Sequence, residues 1–324
     1  MDIPVFDAHC DTISEAKNKN CGLRKNKLHV DIERGRGFSP YAQVFAVFTR
    51  PTTGSITEMD YTKDWPSEIL TQMADELISL LLSELEKNSD ILTLCRSAAD
   101  VKSAAESGKA ATLIAVEGAE LLGCDLERLK RSYDKGVRFV NLCWNFDNAL
   151  CGAANGAAKG GLTDSGAQFV RTMQDLGIAV DLSHASEHTF WDVAEIARRP
   201  IIAGHSNSKA VCDNPRNLTD DQFKTIVKLE GVVGLNLCPN FLCESGDAGI
   251  EDVIRHAEHF LGLGGEKTVC LGGDLDGIDD LPKEMTGIES YSKLYEAMLR
   301  RNYTESLVQD IFYNNLYNVL EKVL

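Results

Sequence analysis

One alternation constrains this chain more than any single motif. Short, β-branched apolar runs recur along it, each followed by a polar turn and then by apolar residues at helical spacing. The strand-like runs are Pro4–His9, Tyr41–Phe48, Ala111–Val116, Val137–Trp144, Ala179–His184, Ile201–His205, Val232–Leu237 and Val269–Gly272. Helical periodicity fills Trp65–Leu85, Ser97–Ser107, Leu126–Lys135, Ser165–Leu176, Glu187–Arg198, Asp220–Leu229 and Glu251–Leu261. Ser103, Thr163 and Thr219 read as helix starts, and Gly177, Gly231 and Gly264 as stops. Strands that are apolar on both faces call for a parallel sheet covered by helices. Eight such units predict a closed (β/α)8 barrel of the TIM type, with residues 1–324 forming one catalytic domain. No GxGxxG follows the first run, which argues against a dinucleotide-binding sheet. Two more helical stretches, Tyr291–Arg300 and Glu305–Leu324, come after the eighth run. The last is predicted to be a closing helix that packs on the barrel.

Composition narrows the function classes. The net charge of −16 argues against nucleic acid and against an anionic membrane surface, because both need basic patches. No apolar run reaches the roughly 18 residues that a membrane span needs. The start, Met1-Asp2-Ile3-Pro4, lacks the basic-then-apolar pattern of a signal peptide, so the expected location is cytoplasmic. Ten cysteines are scattered, mostly within apolar runs and never as CxxC, and are expected to be reduced core thiols.

Chemistry collects at the carboxyl ends of the predicted strands. The first ends on His9 and Asp11, in Val5-Phe6-Asp7-Ala8-His9-Cys10-Asp11; residues two apart in an extended segment share a face, so the pair should converge. The third ends at Glu117, the fifth at His184, the sixth at His205 and the eighth at Asp274. In a barrel all these ends form one rim, where the active site sits. Nitrogen and oxygen donors gathered in that way suit a metal such as zinc. Three other patterns are set aside. His184-Ala185-Ser186-Glu187-His188 matches HxxEH, but its first histidine ends a strand instead of lying on the helix. His256 and His259 share a helix face, with a solvated surface as the expected setting. Asp274-Leu275-Asp276-Gly277 has glycine at position four, where a calcium loop needs it at six.

The ordered set resembles the membrane (renal) dipeptidase family of zinc peptidases. The match runs from the HxD start through Glu117-Gly118, Ser183-His184, Gly204-His205-Ser206 and Arg216 to Gly272-Gly273-Asp274-Leu275-Asp276-Gly277, and on into Leu299–Glu305. The resemblance implies two zinc ions per chain, one held by His9 and Asp11 and the other by His184 and His205, with Glu117 bridging both. It implies Asp274 as the catalytic carboxylate and Arg216 as the clamp on a substrate carboxylate. The implied reaction is hydrolysis of dipeptides by a hydroxide shared between the metals, including dipeptides with a D-residue at the second position. Members of the family often form dimers, and a homodimer is the expectation carried over.

The chain departs from the family at two places. Animal members have a histidine near the end of strand four that contacts the reacting substrate, and Trp144 stands at the matching position here. Either that contact is absent or Asn145 or Asp147 supplies it, so Trp144 and Asn145 are assigned to the substrate site. The tyrosine that family members often have after strand seven is replaced by Cys238. Two other functions compete with a dipeptidase: another binuclear metal amide hydrolase, such as an N-acyl amino acid deacylase, and a catalytically silent barrel. Hydrolases of the first kind often start with HxH and bridge their metals with a carboxylated lysine, which HxD and a glutamate bridge disfavour.

Overall fold

Eight of the strands join edge to edge in parallel, and the ladder returns on itself. The computed structural model describes residues 2–49 and 65–324. Its strands are β1 (Val5–Cys10), β2 (Tyr41–Val47), β3 (Leu92–Leu94), β4 (Ala110–Glu117), β5 (Val137–Asn141), β6 (Ala179–Asp181), β7 (Ile201–Ile202), β8 (Val233–Leu235) and β9 (Val269–Leu271). They follow the order β7-β6-β5-β4-β2-β1-β9-β8, and β3 pairs with the first half of β4 outside that path. The remaining seam, between β7 and β8, is closed by a parallel bridge from Ala203 to Val233. There the Gly234 amide donates to the Ala203 carbonyl at 2.9 Å. The result is the predicted TIM-type barrel, with helices around it.

The strands are short because their carboxyl ends turn early into the rim loops. β5 stops at Asn141 and β6 at Asp181, so Trp144 and His184 lie beyond the ladder and not within it. β3 escaped the sequence reading because only Leu92-Thr93-Leu94 pair, too few residues to show a period of two. The helix starts at Thr163 and Thr219 hold. Thr163 accepts from the Gly166 amide, and Thr219 forms a reciprocal capping box with Gln222. Ser103 is not a start: it lies inside the helix Ala98–Glu106, which Ser97 caps by accepting from the Asp100 amide. Gly231 is not a stop either, since that helix ends at Lys228 and Glu230 takes the left-handed turn at φ 56°. Gly177 and Gly264 do sit at left-handed helix ends.

Alternate strand residues separate two apolar layers. Phe45, Val47, Ile114, Val116 and Val140 face outward and cluster with helix residues such as Leu77, Leu81 and Phe169. The other parity, including Phe6, Ala42, Val44, Leu113 and Phe139, turns inward and clusters with Leu316, Val319, Leu320 and Val323. The carboxyl-terminal stretch therefore closes the barrel as predicted, but in three pieces. Helices at Glu305–Gln309 and Asn315–Val323 flank a π-helical turn at Asp310–Asn314. All ten cysteines are free thiols. Among the described residues, no helix is long and apolar enough to cross a membrane.

Where β7, β8 and β9 meet, the backbones approach too closely for side chains. A Cβ on Gly234 or Gly272 would collide with the carbonyl oxygen of Gly204. Gly234→Ala must therefore push the seam apart, at a cost of about 1–3 kcal/mol. Scanning calorimetry of the variant should show a clearly lowered Tm, and an unchanged Tm would contradict this account of how the barrel closes.

Candidate metal centre

Five rim segments bring their polar groups to one buried point. His9 lies near the end of β1, and its Nε2 is 3.3 Å from Asp11 Oδ2, 3.6 Å from Glu117 Oε2 and 4.0 Å from Asp274 Oδ1. His184 Nε2 and His205 Nε2 lie 2.9 and 3.3 Å from the other Glu117 oxygen, Oε1, and 2.9 Å from each other. All six side chains are almost inaccessible to solvent. The sequence reading thus named a set that the fold does bring together, but not quite for the reason given. Asp11 is no longer extended: it caps the helix Thr12–Asn18 with φ −98° and ψ 17°, and the β1–β2 register shifts between Asp7 and Cys10. The turn out of the strand, not simple alternation, brings its carboxylate to His9.

Neighbouring backbone is arranged to support this. Asp7 is fully buried and accepts from the His9 amide at 2.9 Å and the Gly273 amide at 3.2 Å, with Tyr291 donating its hydroxyl to the other oxygen. Asp181 does the same at the far side, accepting from the amides of Ser183 at 2.8 Å and Gly204 at 3.0 Å. Each carboxylate ties the strand end that carries one histidine to its neighbour. His184 and Asp274 both hold left-handed backbone, at φ 74° and φ 56°. Non-glycine residues pay for that in strain, and such residues concentrate at functional sites.

The electrostatics of the cluster ask for positive charge. Burial pushes the Asp11 carboxyl up to about 8, and the neighbouring charge of Glu117 adds to the shift. Burial also raises Asp274, reinforced by Glu117 and opposed by His9. Glu117 goes the other way: burial would raise it, but His9 and the hydrogen bonds of His184 and His205 hold it well below the usual range. Burial, aided by Arg216, drops His184 to about 4 and so favours the neutral ring. His9 Nε2 and Asp11 Oδ1 are buried and have no hydrogen-bond partner. Unpartnered donors of this kind around shared carboxylates fit divalent cations. His9, Glu117 and His205 form one candidate ligand group, and His9, Asp11 and Asp274 another.

A cavity of about 220 Å³ opens onto the cluster, walled by Phe48, Trp144, Phe241 and Ile278 and reached by Asn145, Asn155, Arg216 and Cys238. Arg216 is buried, its guanidinium lies 5.5 Å from the Phe241 ring centre, and its Nη2 has no protein partner. Trp144 packs on Phe48, with ring centres 4.9 Å apart, and 6.0 Å from His184. Asn145 Oδ1 lies 2.8 Å from His184 Nδ1. Asp147 is spent elsewhere, accepting from the amides of Ala153 and Ala158 within its own loop. Asn236, just past β8, was missed by the sequence reading. Its side-chain amide donates to Asp274 Oδ2 at 2.9 Å. A lone polar residue closing an apolar strand was its signal, the same one that exposed the other six.

The rejected histidines divide. His188 is exposed on the first turn of the helix Glu187–Ile196, away from the site, as expected. The solvated surface expected for His256 and His259 holds in part for His259, whose side chain is 29% exposed, and fails for His256. His259 is paired with Asp220 at 2.7 Å, and His256 is fully buried. The His256 ring accepts from the Ser208 amide at 3.0 Å through Nδ1 and donates to the Leu242 carbonyl at 3.0 Å through Nε2.

Fold and site together define a metal-dependent hydrolase of the barrel type. The chain belongs to the membrane dipeptidase family, peptidase family M19, whose family model matches residues 1–324. It is thus a metallo-dipeptidase. A metallo peptidase from Rhodobacter sphaeroides, solved with a phosphinate mimic of the dipeptide L-Ala-D-Ala, is 29% identical with a TM-score of 0.87 and full coverage of both chains. Dipeptidase AC, a metallo peptidase of family M19, is 30% identical with a TM-score of 0.86 over 100% of this chain and 99% of its own. An uncharacterized protein in the pqqA 5′ region of Klebsiella pneumoniae is 32% identical over 268 residues, 80% of this chain and 97% of that protein.

Burial lowers the His256 imidazole from 6.5 to about 4, so the folded state binds its proton less readily than the unfolded chain does. Its contribution is therefore complete above about pH 6.5 and is lost as pH falls towards 4. Between pH 7 and pH 5 that loss amounts to about 2 kcal/mol. Thermal unfolding of the protein and of His256→Asn at both pH values should show a larger acid-induced drop for the unmodified protein. Equal drops would remove His256 from the acid sensitivity of the fold.

Proposed function

We propose that the rim cluster holds two zinc ions, with His9 and Asp11 on one, His184 and His205 on the other and Glu117 shared, and that the pocket cleaves dipeptides with a free carboxylate on an L- or D-residue at the second position. The observation that carries this reading is Glu117, each of whose two oxygens faces a different histidine group. Two such cations would acidify a water molecule and polarise the scissile carbonyl. The remaining work falls to side chains of the chain itself, with residues 1–324 acting as one catalytic domain.

Arg216 presents an unpartnered, buried guanidinium edge to the cavity, which suits a two-pronged contact with the carboxylate of a dipeptide. A cavity of about 220 Å³ with that anchor suits a short substrate such as a dipeptide. Phe48, Trp144, Phe241 and Ile278 give the pocket apolar walls against which substrate side chains can pack. Asp274, raised by burial and fixed by Asn236, can take a proton from the attacking water and hand it to the departing amine. The R. sphaeroides relative's L-Ala-D-Ala mimic supports the same substrate class here, including a D-residue at the second position.

Glu117→Gln should lose both metal content and turnover, whereas Asp274→Asn should keep both metals and lose turnover by about 10²–10⁴-fold. Metal analysis beside dipeptide kinetics separates the two, and full loading with full activity in either variant would refute its role. Arg216→Ala should chiefly raise KM for substrates with a free carboxylate, so an unchanged KM removes it from the clamp. A panel of dipeptides with L- or D-residues at the second position, run with zinc and with chelator, tests the reading as a whole. Cleavage of N-acyl amino acids alone would favour a deacylase, and a metal-loaded protein inert to every substrate would mean a silent barrel.

A further inference from the structure

The segment that carries Trp144 and Asn145 does more than line the pocket. Residues 145–161 fold back over the strand end that bears His184 and grip its backbone. The Ala154 amide donates to the His184 carbonyl at 2.7 Å, and the Ser186 amide donates to Gly152 at 3.0 Å. Ala153 and Ala185 form an antiparallel bridge between these bonds. This clasp opposes the strain of a histidine held at φ 74°. It also brings Asn145 to the imidazole across 39 residues of sequence.

At that point the carboxamide has a defined direction. Asn155 donates its amide to Asn145 Oδ1 at 3.3 Å, and the same oxygen lies 2.8 Å from His184 Nδ1. An oxygen already accepting one hydrogen bond needs a proton on Nδ1 to accept a second. The other ring nitrogen, Nε2, faces Glu117 Oε1 at 2.9 Å and His205 Nε2 at 2.9 Å, and it would carry the lone pair once a cation replaces its hydrogen bond to Glu117. Histidines that bind metal through one nitrogen are commonly fixed by a hydrogen bond from the other.

We propose that Asn145 is a positioning residue for His184: its side-chain oxygen takes the Nδ1 proton, fixes the ring's tautomer and rotation, and so presents Nε2 to the metal cluster. The proposal rests on the two-ion reading given above. It reassigns Asn145 from the substrate to the ligand shell, and it makes the chain's departure at Trp144-Asn145 a change in how a ligand is held.

Two measurements test it. In the zinc-loaded protein with ¹⁵N-labelled histidine, His184 should appear as the Nδ1-protonated form; an Nε2-protonated ring would overturn the proposal. In zinc titrations against a competing chelator, Asn145→Leu, which keeps the bulk but removes the acceptor, should weaken one of the two ions by about 10–100-fold. Asn145→Asp, which keeps an acceptor oxygen, should restore the affinity to within a few-fold. Unaltered zinc affinity in Asn145→Leu would sink the positioning role while leaving the two-ion reading intact. Failure of the unmodified protein to take up zinc would instead bring down that reading, and this inference with it.

Discussion

Glu117 is the member on which the other groups depend. A fully buried carboxylate is costly unless something opposite in charge shares its space, and this one is flanked by three histidines and two further carboxylates. The protein alone cannot satisfy them all. His9 is raised well above its ordinary value: burial opposes the charged ring, but the charges of Glu117 and Asp11 outweigh it. Asp11 is pushed up to about 8 by burial and by Glu117. Divalent cations would remove the conflict, since they would accept the lone pairs of the histidines and neutralise the crowded acids. The cluster is therefore costly as bare protein and favourable as a ligand set.

The barrel supplies the rigidity that such a cluster requires. Asp7 and Asp181 are buried away from the reacting groups, and each bonds to backbone amides on two neighbouring strand ends. Their positions fix His9 and the Ser183–His205 region relative to one another. Ser183 completes the link by accepting the His205 amide at 3.0 Å. Glycines at 204, 234 and 272 allow the seam of the barrel to close tightly beneath them. Strain at His184 and Asp274 is tolerated because long-range hydrogen bonds on either side over-determine those backbones.

The six rim residues were legible in the sequence because a parallel barrel makes strand direction and site location the same information. Once the strands were placed, every polar group at a carboxyl end had to reach the same rim. Asn236 obeyed that rule too and was overlooked because an asparagine advertises no ligand or acid–base chemistry. Asn145 was noticed only as a substitute for a family histidine. Its bond to His184 spans a loop whose course no local pattern encodes. His256 misled for a related reason: helical spacing places it on one face with His259, but spacing does not say which loops will cover that face. β3 and the π-helical turn at Asp310–Asn314 are tertiary adjustments of a few residues, too short to leave a period.

Crystals grown with zinc and recorded at the zinc absorption edge test the central claim most directly. The account predicts two anomalous peaks in the buried cluster, one against His9 and Asp11 and the other against His184 and His205, with a Glu117 oxygen facing each. A single peak, or peaks that leave Glu117 uncoordinated, would contradict it.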